Sequence, residues 1–250
     1  MLPLRPALLL AAGFTATVAG LINTIAGGGS FAVIAVLVFV GMDPAVVNGT
    51  LRVGILAQTL VAALTFWRKG SLDIKTAAWL MPAACLGGLA GTLGGTHIPS
   101  AILRPVFGIL LLSWGMLMVF RPAGFTSKEQ LSERALDVVS HMMVLGASAY
   151  GGLLQAGVGF PLMAIVVLYL RRDPLRANGI KVLLVAAYTS WALPGYALSG
   201  LVSWPVGASL ALGSVVGGWL GVRIQLAHGA KVVRWAFALM LAVSGGLMLV

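Results

Sequence analysis

Two cations stand inside apolar stretches of this chain, each close to an asparagine. Arg52 follows Asn48 by four residues and Lys181 follows Asn178 by three, and both spacings bring the two side chains to one face of an α-helix. A cation inside an apolar span is costly, so it is usually paired or functional. We interpret both pairs as contacts for an anion. Two alternatives stay open: the cations extend to the lipid interface, or the asparagines satisfy unwound backbone.

A glycine-rich segment lies upstream of each pair. The strings NTIAGGGS (23–30) and LLQAGVGF (153–160) come just before short apolar segments. Free N–H groups at a helix start carry partial positive charge and suit an anion, although glycines also permit close packing or a tight turn. The candidate substrate-binding residues are Asn23, Gly27, Gly28, Gly29, Ser30, Asn48, Arg52, Gln155, Gly157, Gly159, Asn178 and Lys181.

The acidic residues all fall at segment ends or in connections. They are Asp43, Asp73, Glu129, Glu133, Asp137 and Asp173. A carboxylate proton relay or a carboxylate-lined cation pathway is therefore disfavoured, and an anion pathway is favoured. Cys85 is the only cysteine and no Cys/His cluster has the spacing of a metal site, so we predict no metal and no cofactor. No nucleophile and base converge within the apolar segments, which disfavours an enzyme with catalytic residues.

The elements that position these residues are apolar helices. The chain is 60% hydrophobic and 9% charged, whereas soluble domains are roughly one-quarter charged. Apolar runs of about 20 residues, the length that crosses a bilayer, recur throughout, and they are apolar on every face, unlike barrel strands. We predict an all-α polytopic membrane protein in a lipid bilayer. The net charge of +10 comes from residues in short connections rather than one stripe, which argues against a nucleic-acid partner.

The two halves of the chain are copies of one unit. Asp43, Pro44, Asn48 and Gly49 align with Asp173, Pro174, Asn178 and Gly179, each pair 130 positions apart. We predict an N-terminal membrane repeat at 1–125, a cytoplasmic linker at 126–134 and a C-terminal repeat at 135–250. Each repeat has about five helical segments, and its short second segment covers only about 18 Å. Such a segment is tilted, re-entrant or one limb of a broken helix.

Basic residues indicate how the repeats are oriented. Equivalent connections differ in charge. Arg68, Lys69 and Lys75 have no basic counterparts near Gly200, and the stretch 43–49 has no basic residue where the second half has Arg171, Arg172 and Arg176. Because basic connections face the cytoplasm, equivalent connections lie on opposite sides. The repeats are therefore predicted to be inverted, with both termini outside.

Two strings of the first half resemble a known family. GLINTIAGGGSF (20–31) and GMDPAVVNGT (41–50) resemble the TauE/SafE family of sulfite exporters, also called the TSUP family. In the second half GVGFP, from Gly157, and DPLRAN, which ends at Asn178, are similar to it as well. The resemblance covers the whole chain and implies a bacterial inner-membrane permease for sulfite or a small organosulfur anion such as a sulfonate or sulfoacetate.

We therefore expect export of a small sulfur-containing anion by alternating access at a midplane site between the repeats. An inside-negative potential favours anion efflux without a coupling ion, although proton or Na⁺ coupling stays open. The alternatives are uptake of another sulfur compound or anion and, from another class, a membrane assembly scaffold. The sequence does not predict the oligomeric state.

Overall fold

The computed structural model describes residues 6–25, 27–120 and 133–228, and these residues form helices without any strand. The helices are α1 (Pro6–Ile25), α2 (Ser30–Phe39), α3 (Pro44–Arg68), α4 (Ile74–Gly95), α5 (Ser100–Phe120), α6 (Val138–Leu154), α7 (Gly159–Ala164, continued by a π-helical turn at Ile165–Tyr169), α8 (Pro174–Leu198) and α9 (Trp204–His228). Most of the predicted linker, the last segment of the second half and both chain termini lie outside the described residues.

The prediction of a polytopic all-α membrane protein is confirmed for the described part of the chain. Four of its helices, α1, α3, α4 and α9, are long and apolar enough to cross a bilayer. Helix bounds also recur at the interval seen in the sequence. Helices α3 and α8 each have 25 residues and begin at Pro44 and Pro174, and α4 and α9 begin at Ile74 and Trp204.

Asp-Pro starts both long helices by the same local chemistry. The Asp43 side chain accepts hydrogen bonds from the backbone N–H groups of Ala45 and Val46, with proline at the first helical position. Asp173 does the same at the start of α8. An acidic N-cap stabilises a helix start by satisfying its free donors. Burial raises the pKa of Asp43, but hydrogen bonds from Ser100 and these amides outweigh it and hold the pKa below its usual value.

The helices pack as two bundles that mix both halves of the chain. In one bundle α1 and α3 pack against α9, and in the other α8 and α6 pack against α4. Each bundle has its own apolar core: Phe31, Leu51 and Leu210 belong to the first, and Leu80, Leu162 and Leu184 to the second. Packing therefore groups the helices differently from the order of the sequence.

Most basic connections lie at one end of this assembly. Gly179, near the start of α8, packs against Ser71 and Leu72 of the α3–α4 connection. Arg172, just before α8, pairs with Glu133 of the linker. The segments 68–75, 133–137 and 170–176 therefore share one end of the bundles, which we call the basic end.

The connections at 41–43, 96–100 and 199–203 lie at the opposite end. Ser100 Oγ donates to Asp43 Oδ1 (2.6 Å), and the Ser203 N–H donates to Thr50 Oγ1 (2.9 Å). Helix α1 also starts there, because the Leu9 carbonyl accepts from Ser209 Oγ in the first turns of α9 (2.5 Å). Helices α1 and α2 thus form a hairpin that enters and leaves at one end of the bundles, with the short α2 as its return limb.

Glycine ridges allow the closest helix contacts, as their spacing indicates. A Cβ atom on Gly87, Gly91 or Gly95 of α4 would meet backbone atoms of Leu145, Ala149 or Leu153 on α6. On α9, Gly213, Gly217 and Gly221 face Gly13, Thr17 and Leu21 of α1 in the same way. These glycines are therefore packing surfaces.

The α4–α6 contact gives a stability prediction with a control on the exposed face of α6. Gly91→Ala places a Cβ on the Ala149 carbonyl oxygen, and such overpacking costs about 1–3 kcal/mol. We expect a lower melting temperature for the detergent-solubilised protein. Gly146→Ala on α6 meets open space and gains helix propensity, so it should leave the melting temperature unchanged or raise it. Equal melting temperatures for the two variants would contradict this packing.

Candidate functional site

Two helices end inside the protein, where their last carbonyls need donors. Helix α1 ends at Ile25 and α6 at Leu154, and the residues around both ends are buried. The last four carbonyl groups of any helix lack partners within that helix, and water does not reach them in a membrane interior. The donors come from α3 and α8. These helices carry the two cations and the two asparagines that were singled out in the sequence.

Arg52 of α3 binds the end of α6. Its Nη1 donates to the carbonyl of Gly151 (3.1 Å) and to Gln155 Oε1 (2.8 Å), and its Nη2 donates to the carbonyl of Gly152 (2.7 Å). The guanidinium also stacks on the Tyr196 ring, 3.9 Å from its centroid. The side chain is 0% exposed, so it does not extend to the lipid interface.

Lys181 of α8 binds the end of α1 in a corresponding way. Its Nζ donates to the carbonyls of Asn23 (3.2 Å) and Thr24 (3.1 Å), and the residue is 3% exposed. Both cations thus lie at helix C-termini, where the helix dipole favours positive charge. An ammonium has three N–H donors, and these two carbonyls use two of them.

The two asparagines act as further caps. Asn48 Nδ2 donates to the Leu153 carbonyl (2.8 Å) and to the Tyr196 hydroxyl (3.0 Å). Asn178 Nδ2 donates to the Thr24 carbonyl (2.6 Å) and to Gln225 Oε1. These contacts fit the alternative in which the asparagines satisfy backbone at the helix breaks.

The glycines bring the two breaks into contact. Gly27, with φ +102°, lies against Gly159, where a Cβ would be 2.7 Å from the Gly159 carbonyl carbon. The Gly157 N–H donates to Ser30 Oγ (3.1 Å). Gly29 packs on the Ala19 carbonyl, and the Gly28 carbonyl accepts from the N–H of Phe31 (3.2 Å). These positions fit the alternative of close packing and tight turns.

Two small cavities lie beside these breaks and share Asn23, Ile55 and Gln58 as lining residues. The first is also lined by Ser30, and its other walls are Ala19, Gly20, Val33, Leu51, Gly54, Leu210 and Ser214. The second is lined by Gln155, Gly159 and Lys181 together with Thr59, Val158, Val182 and Val185. Each has a volume of about 10 Å³, about the room for one water molecule. Neither cavity therefore has room for a solute larger than a water molecule in this conformation.

The predicted site residues divide into two groups. Those that line a cavity are Asn23, Ser30, Gln155, Gly159 and Lys181. The lining residues of these two cavities do not include Gly27, Gly28, Gly29, Asn48, Arg52, Gly157 or Asn178, which hold the breaks together. Substrate binding stays a prediction for the residues of the first group. The residues of the second group surround the first.

Comparison with known proteins places this chain in a family. The family profile described as "Sulfite exporter TauE/SafE" matches residues 11–248. The chain belongs to the TauE/SafE family. This confirms the resemblance of the glycine-rich and Asp-Pro strings.

Several curated relatives of this TauE/SafE protein are named as transporters. A "Probable membrane transporter protein" of Haemophilus influenzae is 30% identical over 91% of this chain and 88% of its own length. The Escherichia coli "Probable membrane transporter protein YfcA" is 26% identical over 92% of this chain and 85% of its own. YdhB of Bacillus subtilis, named likewise, is 23% identical over 92% and 95%. No solved structure gives a significant match.

Sequence reasoning missed Gln58, which lines both cavities of this TauE/SafE protein. Its Oε1 accepts from Asn23 Nδ2 (3.1 Å), and its Nε2 donates to Thr24 Oγ1 (3.0 Å). The residue is 2% exposed. A signal was present in the sequence, because a buried amide in an apolar span needs partners and often marks a site.

The capping role of Asn48 predicts a loss of stability without it. Asn48→Leu removes the donor to the Leu153 carbonyl and to Tyr196, which should cost about 1–3 kcal/mol and lower the melting temperature in detergent. Thr65→Val is the control in the same helix, because Thr65 bonds only the Val61 carbonyl one turn before it. If Asn48→Leu has the same melting temperature as Thr65→Val and the wild type, the Asn48 cap does not contribute to stability.

Proposed function

We propose that this TauE/SafE protein exports a small anion across the cytoplasmic membrane. The anion is sulfite or a small sulfonate. The observation that carries the proposal is the position of Lys181. Among the residues lining the two cavities, it alone carries a charge. An anion in the second cavity would meet this ammonium together with the amides of Gln58 and Gln155.

The donor set suits an oxyanion. The side chains of Lys181, Gln58 and Gln155 offer N–H groups, whereas a sulfite or sulfonate oxygen only accepts hydrogen bonds. No Asp or Glu is among the residues lining the two cavities. When Lys181 is protonated, no carboxylate among the lining residues compensates its charge, and a desolvated charge of this kind attracts a counter-ion strongly.

Transport requires the closed cavities to open to each end in turn. We place the movement between the two bundles, around the touching breaks at Gly27 and Gly159. The shared position of the basic connections at one end of the bundles supports an inverted arrangement of the two repeats, with that end in the cytoplasm. The chain termini then lie outside. An inside-negative potential favours anion efflux by about 2.3 kcal/mol per charge per 100 mV.

Removing the charge of Lys181 tests the proposal directly. Lys181→Met retains an apolar stem of similar length, and such replacements of a buried ion are often tolerated by the fold. We expect sulfite efflux from proteoliposomes to fall at least tenfold, equivalent to about 1.4 kcal/mol. Lys69→Met changes an exposed cation at the basic end and should retain the wild-type rate. Efflux from Lys181→Met at that same rate would refute the role of the ammonium.

Substrate class and direction need a separate measurement. Wild-type protein in vesicles should carry sulfite or sulfoacetate faster than sulfate or thiosulfate, and efflux should accelerate when the potential is made negative inside. Faster inward movement under physiological gradients would instead favour the uptake alternative.

Cysteine labelling tests the inverted orientation. Lys69 and Ser199 are exposed and occupy positions 130 apart, at the ends of α3 and α8. In a Cys85→Ala background, we expect a membrane-impermeant maleimide to label Ser199→Cys in intact cells and Lys69→Cys only after permeabilisation. Labelling of both positions from the same side would exclude inverted repeats.

A further inference from the structure

Gln155 has a backbone conformation that its residue type does not favour. It follows the last residue of α6 with φ +53°, and among the described residues only Arg171 shares a positive φ without being glycine. Glycine normally takes this position at a helix end, because a Cβ atom is strained there. Such strain persists where the surroundings fix it, often at functional sites. The side chain of Gln155 must therefore supply something that glycine cannot.

The amide of Gln155 is held in one orientation. Its Oε1 accepts from Arg52 Nη1 at 2.8 Å, and because a guanidinium only donates, the oxygen must face Arg52 and the nitrogen must face away. Gln155 Nε2 is buried and makes no hydrogen bond of ordinary geometry, and its polar neighbour, the Tyr188 hydroxyl, is likewise without a partner. The residue is 0% exposed and lines the second cavity together with Lys181. An oriented donor without an acceptor thus lies beside the cavity that contains the cation.

We propose that Gln155 Nε2 donates a hydrogen bond to an oxygen of the transported anion, and that Arg52 is a positioning residue that acts through Gln155. The inference rests on the proposed function and assigns separate roles at the same site. Lys181 provides the charge, Gln155 recognises an oxygen, and Arg52 fixes the direction of the amide.

Arg52 suits the positioning role better than direct contact with the anion. It is absent from the residues that line either cavity, and both terminal nitrogens already bind α6 and Gln155. A guanidinium presents its donors in a rigid fork, whereas a lysine ammonium is a flexible point charge. Only the fork can bind two carbonyls and the amide oxygen with the plane of each group fixed.

The position equivalent to Gln155 shows that the fold does not need an amide there. Ile25 lies 130 positions earlier, at the end of α1. That helix end is bound by Lys181 through the carbonyls of Asn23 and Thr24. The end of α1 is therefore capped by Lys181 and Asn178 without an amide side chain at position 25, so capping alone does not account for Gln155.

Gln155→Glu separates recognition from structure. A carboxylate still accepts from Arg52, so the contact that orients the side chain is kept and the fold should survive. The variant has no donor, however, and brings negative charge to the cavity. We expect the KM for sulfite in proteoliposomes to rise at least tenfold, with the melting temperature in detergent unchanged or higher. Ser199→Glu, which adds the same charge at an exposed connection, should leave the KM unchanged.

Gln155→Gly and Arg52→Lys test whether Arg52 acts through the amide. Gln155→Gly relieves the positive φ and removes the donor, so it should raise the KM at least tenfold without lowering the melting temperature. Arg52→Lys should raise the KM similarly when Gln155 is present. In the Gln155→Gly background Arg52→Lys should add no further increase, because the two residues act as one unit.

The outcomes distinguish this inference from the proposed function. If the wild type carries none of the tested anions, the proposed function fails and the role of Gln155 fails with it. If the wild type carries sulfite and both Gln155 variants retain its KM, only the inference is overturned. Independent, additive KM effects of Arg52→Lys and Gln155→Gly would overturn the positioning role. Sulfite should also raise the melting temperature of the wild type but not of Gln155→Glu.

Discussion

Helices that end inside a membrane protein must find donors for their last carbonyl groups, and this requirement organises the centre of the structure. The donors come from the other half of the chain. Arg52 on α3 binds the end of α6, and Lys181 on α8 binds the end of α1. Water is excluded from such a place, so neither broken helix would be satisfied alone. The two bundles are tied together by these reciprocal caps, and the cavities lie where the caps meet.

The same caps are compatible with the proposed function, in which a buried cation binds an anion. Lysine bound to two carbonyls is paired with partial charges only, since the macrodipole contributes roughly half an elementary charge at a helix end. A full carboxylate partner would cancel the ammonium, whereas carbonyls hold it in position and leave net positive charge. The absence of Asp and Glu from the walls of the two cavities thus matters as much as the presence of Lys181.

The sequence predicted what local chemistry determines and missed what distant contacts decide. Asp-Pro at residues 43–44 is a complete helix-start signal, and the glycine ridge on α4 follows from its spacing of four. The partners of Arg52 lie 99 and 100 residues away on α6, and no periodicity reveals them. The free N–H groups expected at the glycine-rich breaks stay a prediction. The contact of Gly27 with Gly159 could not be predicted, because it depends on how two distant irregular segments meet. Gln58 escaped notice because its partners, Asn23 and Thr24, lie on another helix.

The scaffold repeats, but the chemistry does not. Asn48 and Asn178 occupy equivalent positions, and each donates to a carbonyl at the end of a broken helix. Both helix ends need such a donor. The other polar positions are matched by apolar or aromatic residues 130 positions away: Arg52 by Val182, Lys181 by Leu51, Gln155 by Ile25 and Gln58 by Tyr188. The walls of the second cavity therefore contain Lys181 and Gln155 without a symmetric second set of either. The paired breaks thus lie at equivalent positions 130 residues apart, whereas the polar side chains beside them do not recur, so the two breaks present unlike surroundings to the space between them.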